Sequence, residues 1–90
     1  MIIKLLDVKG TQQHWKFIDN IEQVDFRVIS KDEQQNPEFH PTYYISDNLD
    51  KKTEVYRFII LTTTTGAMLS ICTNLAVYLL NNEGKTIERI

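Results

Sequence analysis

Between Phe58 and Asn82 the chain runs 25 residues without a charge (FIILTTTTGAMLSICTNLAVYLLNN), and all 22 formal charges fall in the other 65 residues. A stretch this apolar leaves water, either into a bilayer or into a protein core. It is long enough for a membrane helix, which needs about 20 predominantly apolar residues. Its composition points to a core instead. Thr62, Thr63, Thr64 and Thr65 form a β-branched block closed by Gly66, and Ser70, Thr73 and Asn74 interrupt the second half. Threonine is stiff at χ1 and suits a pleated surface better than a helix. The flanks, Glu54 and Arg57 before and Glu83 and Lys85 after, lack the cationic asymmetry that orients a membrane span. The run therefore reads as several short buried strands joined by uncharged turns, with no membrane as partner.

Ninety residues make one domain, residues 1–90. A domain of this size buries about 60–65% of the surface its unfolded chain exposes, so its core is thin. A homodimer is the expected way to cover the rest, through the strands in residues 55–80 or the C-terminal hairpin. The net charge of −2 argues weakly against a dedicated DNA-binding domain. Residues 19–57 hold nine carboxylates against five cations, which reads as a solvated surface. Cys72 is the single cysteine, so neither an intrachain disulfide nor a cysteine-based metal site forms, as suits a reducing cytosol. The N-terminus meets Asp7 before any useful apolar length and lacks a basic start, so a secretory signal is not read there and a cytoplasmic location is expected.

Met1 to Val8 predicts a strand with Ile3 and Leu5 on one face. Thr11 to Phe17 is polar around Trp15. Asp19 with Glu22 has the form of a capping box and predicts one helical turn. Val24 to Ser30 alternates at period two and predicts a strand. Residues 31–41 predict a polar loop, Thr42 to Ser46 a short strand and residues 47–52 a charged loop. Thr53 to Thr64 predicts the longest strand, apolar on both faces and so central. Gly66 turns the chain into a strand over 67–73, another follows over 75–80, and Asn81-Asn82-Glu83-Gly84 reads as a hairpin with glycine in the left-handed region, returning as Lys85 to Ile90. The fold class is mainly β: a small antiparallel sheet or partly open barrel of five to seven short strands with one or two helical turns. The alternative is an α+β fold with a buried helix at 67–80.

No catalytic motif emerges. His14 and His40 have no nearby nucleophile and no second histidine at metal-ligand spacing. Glu38, His40 and Asp47 read as loop residues, and Asp32-Glu33 and Asp47…Asp50 lack the cleft that general acid–base work needs. Asp47-Asn48-Leu49-Asp50 lacks the glycine and spacing of a calcium loop. The threonine block has no glycine-rich loop and no following lysine, so it is not a P-loop. Cys72 reads as an inert core thiol. One cluster remains: Trp15 and Lys16 in His14-Trp15-Lys16-Phe17, with Tyr43 and Tyr44 as companions. Aromatics beside cations serve as protein-interface anchors and as stacking platforms for bases; capping a thin core is the plainer role for Trp15.

The expected function is a small non-enzymatic binding protein, an adaptor or inhibitor acting on a protein partner and needing no cofactor. The alternatives are a nucleic-acid-binding small β domain or a small-ligand-binding protein. The Ile-, Asn- and Lys-rich composition is common among accessory proteins of AT-rich bacteria and their phages. Far-UV circular dichroism of the purified chain should be dominated by strand; a helix-dominated spectrum contradicts this fold class.

Overall fold

The computed structural model describes residues 1–34, 40–45 and 55–90. They form β1 (Ile2–Lys9), β2 (Gln12–Ile18), β3 (Ile21–Ser30), α1 (Lys31–Gln34), β4 (Tyr43–Ile45), β5 (Val55–Thr63), β6 (Met68–Thr73), β7 (Val77–Leu80) and β8 (Thr86–Arg89). Two four-stranded sheets result, and neither closes into a barrel. The first has the order β2-β1-β7-β8 and the second β3-β5-β6-β4. All pairings are antiparallel except β4 with β6, which is parallel. The mainly β class holds, with eight strands among the described residues in place of five to seven.

The buried uncharged run supplies the middle of both sheets. β5 and β6 are interior strands of the second sheet, and β7 is interior to the first. Strand alternation sends one face of each sheet inward. Ile3 and Leu5 of β1 and Val77 of β7 meet Ile59 and Leu61 of β5 and Ile71 of β6, all essentially without solvent exposure. Burying one such side chain stabilises by roughly 1.5–3 kcal/mol. The other face of β5 is apolar too: Tyr56 packs with Ile29 and Cys72 in a second, smaller cluster, with Phe58 against it. The central placement expected of this strand is thus observed. β3, with ten residues, is longer than β5, with nine.

The chain passes between sheets at two corners. At the first, Asn20 takes φ +58° and Ile21 exchanges two backbone bonds with Met1, at 3.0 and 2.8 Å. Asparagine is among the few residues that visit this region readily. No helical turn forms at Asp19–Glu22, because Ile21 already belongs to β3 and its N–H goes to the Met1 carbonyl. The helical turn lies at α1 instead, within the predicted loop, where the Ser30 hydroxyl accepts the Glu33 N–H at 3.2 Å in a genuine capping geometry. At the second corner, buried Thr73 accepts the Leu75 N–H at 3.0 Å, and Arg57 donates to the Leu75 carbonyl at 3.2 Å.

The alternative helix at 67–80 is overturned. Met68–Thr73 pairs with β5, and Val77–Leu80 pairs with β1 and β8. The threonine block closes the β5–β6 hairpin: Thr63 N–H reaches Ala67 O at 2.8 Å, and the Thr63 hydroxyl accepts Ala67 N–H at 3.1 Å. Thr11 to Phe17, read from sequence as a polar stretch, lies, apart from Thr11, within a full strand, Gln12–Ile18, on the edge of the first sheet. Thr42 and Ser70 pin β4 beside β6 through reciprocal bonds of 2.9 and 3.1 Å. The predicted loop at 47–52 lies outside the described residues.

The final hairpin forms as its turn residues dictate. The Asn81 side-chain oxygen accepts Glu83 N–H at 2.9 Å and Lys85 N–H at 3.0 Å, and Gly84 takes φ +86°. Nothing lies within 4 Å of a β-carbon built at Gly84, so any penalty there is backbone strain and not a clash. Gly84→Ala should cost about 1 kcal/mol and Gly84→Val more. For a domain of this size about 1 kcal/mol lowers Tm by roughly 4–8 °C. Thermal melts of the two variants check this, and a Gly84→Val melt within a degree or two of wild type refutes the turn.

Candidate binding face

The outward face of the first sheet collects the molecule's most chemically distinctive surface. Alternation and pairing set its membership. Ile3 and Leu5 point to the core, so Lys4 and Leu6 point out. Leu6 stands opposite Trp15, Lys4 opposite both Phe17 and Tyr78, and Tyr78 opposite Arg89. Cross-strand and diagonal neighbours on one face are within reach of long and aromatic side chains. The Lys4 ammonium lies 4.4 Å from the Trp15 ring centroid and 5.9 Å from that of Tyr78. Trp15 and Tyr78 meet edge to face at 5.9 Å. Arg89 sits over the far strand's side of the cluster, 5.7 Å from the Tyr78 centroid. These are cation–π and aromatic geometries worth about 0.5–1 kcal/mol each at exposed sites.

Two features make this more than a capped core. Trp15 remains 43% exposed although its neighbours hold it. The charge is also one-sided. Lys4 and Arg89 stand on the outward positions, while Asp7 and Glu88 fall on the opposite side of their strands by register with His14 and Leu79. The Asp7 carboxylate lies 3.5 Å from the His14 imidazole on that other side.

The four residues singled out from sequence do not converge. Trp15 lies on the outward face of the first sheet. Lys16, next in the chain, points the other way, and its ammonium stands 4.3 Å from the ring centroid of Tyr43 on β4, bridging the edges of the two sheets. Tyr44 turns to the outer face of the second sheet, where it stacks on Tyr56 at 6.2 Å. Lys4, Tyr78 and Arg89 were missed. The signal for them was period-two alternation in β1, β7 and β8, but their meeting with Trp15 depends on strand order.

Other groups have a plainer chemistry. Cys72 is fully buried, and burial pushes its thiol up to about 11. A shallow hollow of about 110 Å³ lies among Asp25, Phe26, Arg27, Phe58 and Ile60; sites for drug-sized ligands run to about 300–1,000 Å³. Among the described residues no three of His, Cys, Asp and Glu gather as a metal site, and no helix is long and apolar enough to cross a membrane. Comparison with protein families, curated proteins and solved structures gave no match to this chain.

The buried thiol yields a test with a definite sign. Well below pH 9 it is protonated in the folded and unfolded states alike. Between pH 9 and about 11 the unfolded chain releases its proton first, so this group withdraws stability as pH rises through that window. A Cys72→Ala variant should lack this component of the alkaline decline in urea melts. A thiol reagent at neutral pH should label wild type only at the rate of unfolding; rapid labelling of the folded protein places Cys72 at the surface.

Proposed function

We propose that this chain is a non-enzymatic, cytoplasmic binding protein that recognises an acidic surface on a protein partner with the outward face of its first sheet. The observation that carries this reading is the ordered Lys4–Trp15–Tyr78–Arg89 cluster. Trp, Tyr and Arg are the residue types that dominate binding energy at protein interfaces. Here they are held in place before any partner arrives, which reduces the side-chain ordering that binding must otherwise pay for. The two cations, with no carboxylate on neighbouring outward positions, favour a partner patch rich in Asp and Glu.

A single-stranded nucleic acid would also meet aromatics and cations here. Two features favour the protein reading. The Trp15 and Tyr78 rings already carry cations against them, so stacking bases must displace those groups. The chain's net charge of −2 adds no general attraction for a polyanion.

Immobilised wild type, Trp15→Ala and Arg89→Glu chains, incubated with cell lysate with and without nuclease treatment, separate the readings. A discrete protein should stay on wild type through a wash at raised salt. Its affinity should fall on the order of thirtyfold for Trp15→Ala, the loss expected of a buried aromatic anchor. Binding that disappears with nuclease, or falls steeply with salt as counterion release requires, transfers the function to nucleic acid. Capture unchanged by both substitutions removes this face from the function.

A further inference from the structure

From a different part of the molecule we infer that β3 is a self-complementary edge through which two copies of this chain join their second sheets. β3 is the terminal strand of that sheet, and among the described residues no strand lies beyond its ten residues. Among the described residues the other edge strands, β2, β4 and β8, are shorter, with seven, three and four residues. A long exposed edge is a template for pairing unless something blocks it.

The backbone polarity of the edge follows from the ladder. Thr63 N–H bonds Ala67 O across the β5–β6 hairpin, so the odd residues of β5 face β6 and the even ones face β3. Asp25 pairs with Ile60 and Arg27 with Phe58, so these two spend their backbone groups on β5. The N–H and C=O of Val24, Phe26 and Val28 are left pointing outward along the edge. Phe26 and Val28 are also 48% and 62% exposed, although they lie on the same side of the sheet as buried Ile59 and Leu61.

A second copy fits this edge in one register above others. With a two-fold axis at Phe26, antiparallel pairing sets Phe26 against Phe26 once, on the axis, and Val24 against Val28 and Asp25 against Arg27 twice each by symmetry. The hydrogen-bonded pairs then fall on the residues whose backbone groups are free. The charged pairs fall on the intervening positions, where opposing side chains come closest. Sliding by one step that keeps the faces matched sets Asp25 against Asp25, or Arg27 against Arg27. Like charges directly opposite are destabilising, so the charges select the central register. Within the chain Arg27 lies over Phe58 of β5 and pairs with Glu33, so pairing with Asp25 of a second copy draws its guanidinium outward from those contacts. The dimer interface expected at 55–80 or at the C-terminal hairpin is thereby placed on β3 instead; within 55–80 the strands β5, β6 and β7 are paired on both sides.

The test uses opposite charge reversals. Arg27→Asp makes the edge all acidic and Asp25→Arg makes it all basic. Sedimentation equilibrium at micromolar concentration should give wild type twice the chain mass of 10.6 kDa. Each reversed chain alone should associate roughly ten- to a hundredfold more weakly, since two attractive pairs become two repulsive ones. Mixed in equal amounts, the two reversed chains should form a heterodimer, because each acidic position then meets a basic one. Circular dichroism confirms that each chain is folded; if one is not, the double variant carrying both changes replaces it, and its dimerisation should return to the wild-type level. A wild type that stays at the monomer mass, reversed chains that dimerise as well as wild type, or a mixture or double variant that stays monomeric beside a dimeric wild type would each overturn the β3 pairing.

Discussion

The fold depends on one apolar layer shared by two small sheets. Ile3, Leu5 and Val77 from one sheet and Ile59, Leu61 and Ile71 from the other exclude water completely from the space between them. Each sheet hides its main apolar face from water only against the other sheet. The layer holds only if the chain crosses from sheet to sheet without leaving buried backbone groups unsatisfied. Both corners meet that condition. Asn20 turns through the left-handed region so that Ile21 can bond Met1, and Thr73 and Arg57 supply side-chain partners to Leu75. Among the described residues no buried side-chain nitrogen or oxygen is left without a partner.

Packing one face of each sheet inward leaves the opposite faces to other chemistry, and the two differ. The first sheet's outward face carries Lys4 and Arg89 among aromatic rings. The second sheet's outer face carries Asp25 and Arg27 side by side with Phe58, and sets Tyr44 on Tyr56. Strand register produces this segregation. Each strand places alternate residues on alternate faces, so a charge moved by one position changes sides. Asp7 lies inward beside His14 for the same reason that Lys4 lies outward beside Trp15.

Much of the architecture was legible because the residues that signal it act locally. Alternation marked β1 and β3, and Asn81 with Gly84 marked the final hairpin through turn geometry alone. The failures share one cause. The three-residue spacing of Asp19 and Glu22 imitates a helix start, yet a cap matters only when a helix follows, and here Met1 offered Ile21 a strand partner. Ser30 and Glu33 have the same spacing and do cap a turn. Gln12–Ile18 has weak strand propensity and forms a strand because β1 lies beside it. The Leu- and Ala-containing end of the uncharged run resembles a buried helix until β1 and β8 are seen on either side of Val77–Leu80.

The sequence alone determined that this chain buries a long uncharged run as strands, turns it at Gly66, follows it with a hairpin at Gly84, and carries Trp15, Lys16, Tyr43 and Tyr44 as candidate contact residues. Those conclusions rest on composition and on conformational preferences within a few residues. Tertiary structure decided which candidates meet. Lys16 and Trp15 are adjacent in the chain and lie on opposite faces, whereas Lys4, Trp15, Tyr78 and Arg89 come from four strands and share one. Strand order and register set those meetings. They are fixed by which pairing closes the apolar layer, a property of the whole chain that no local segment encodes.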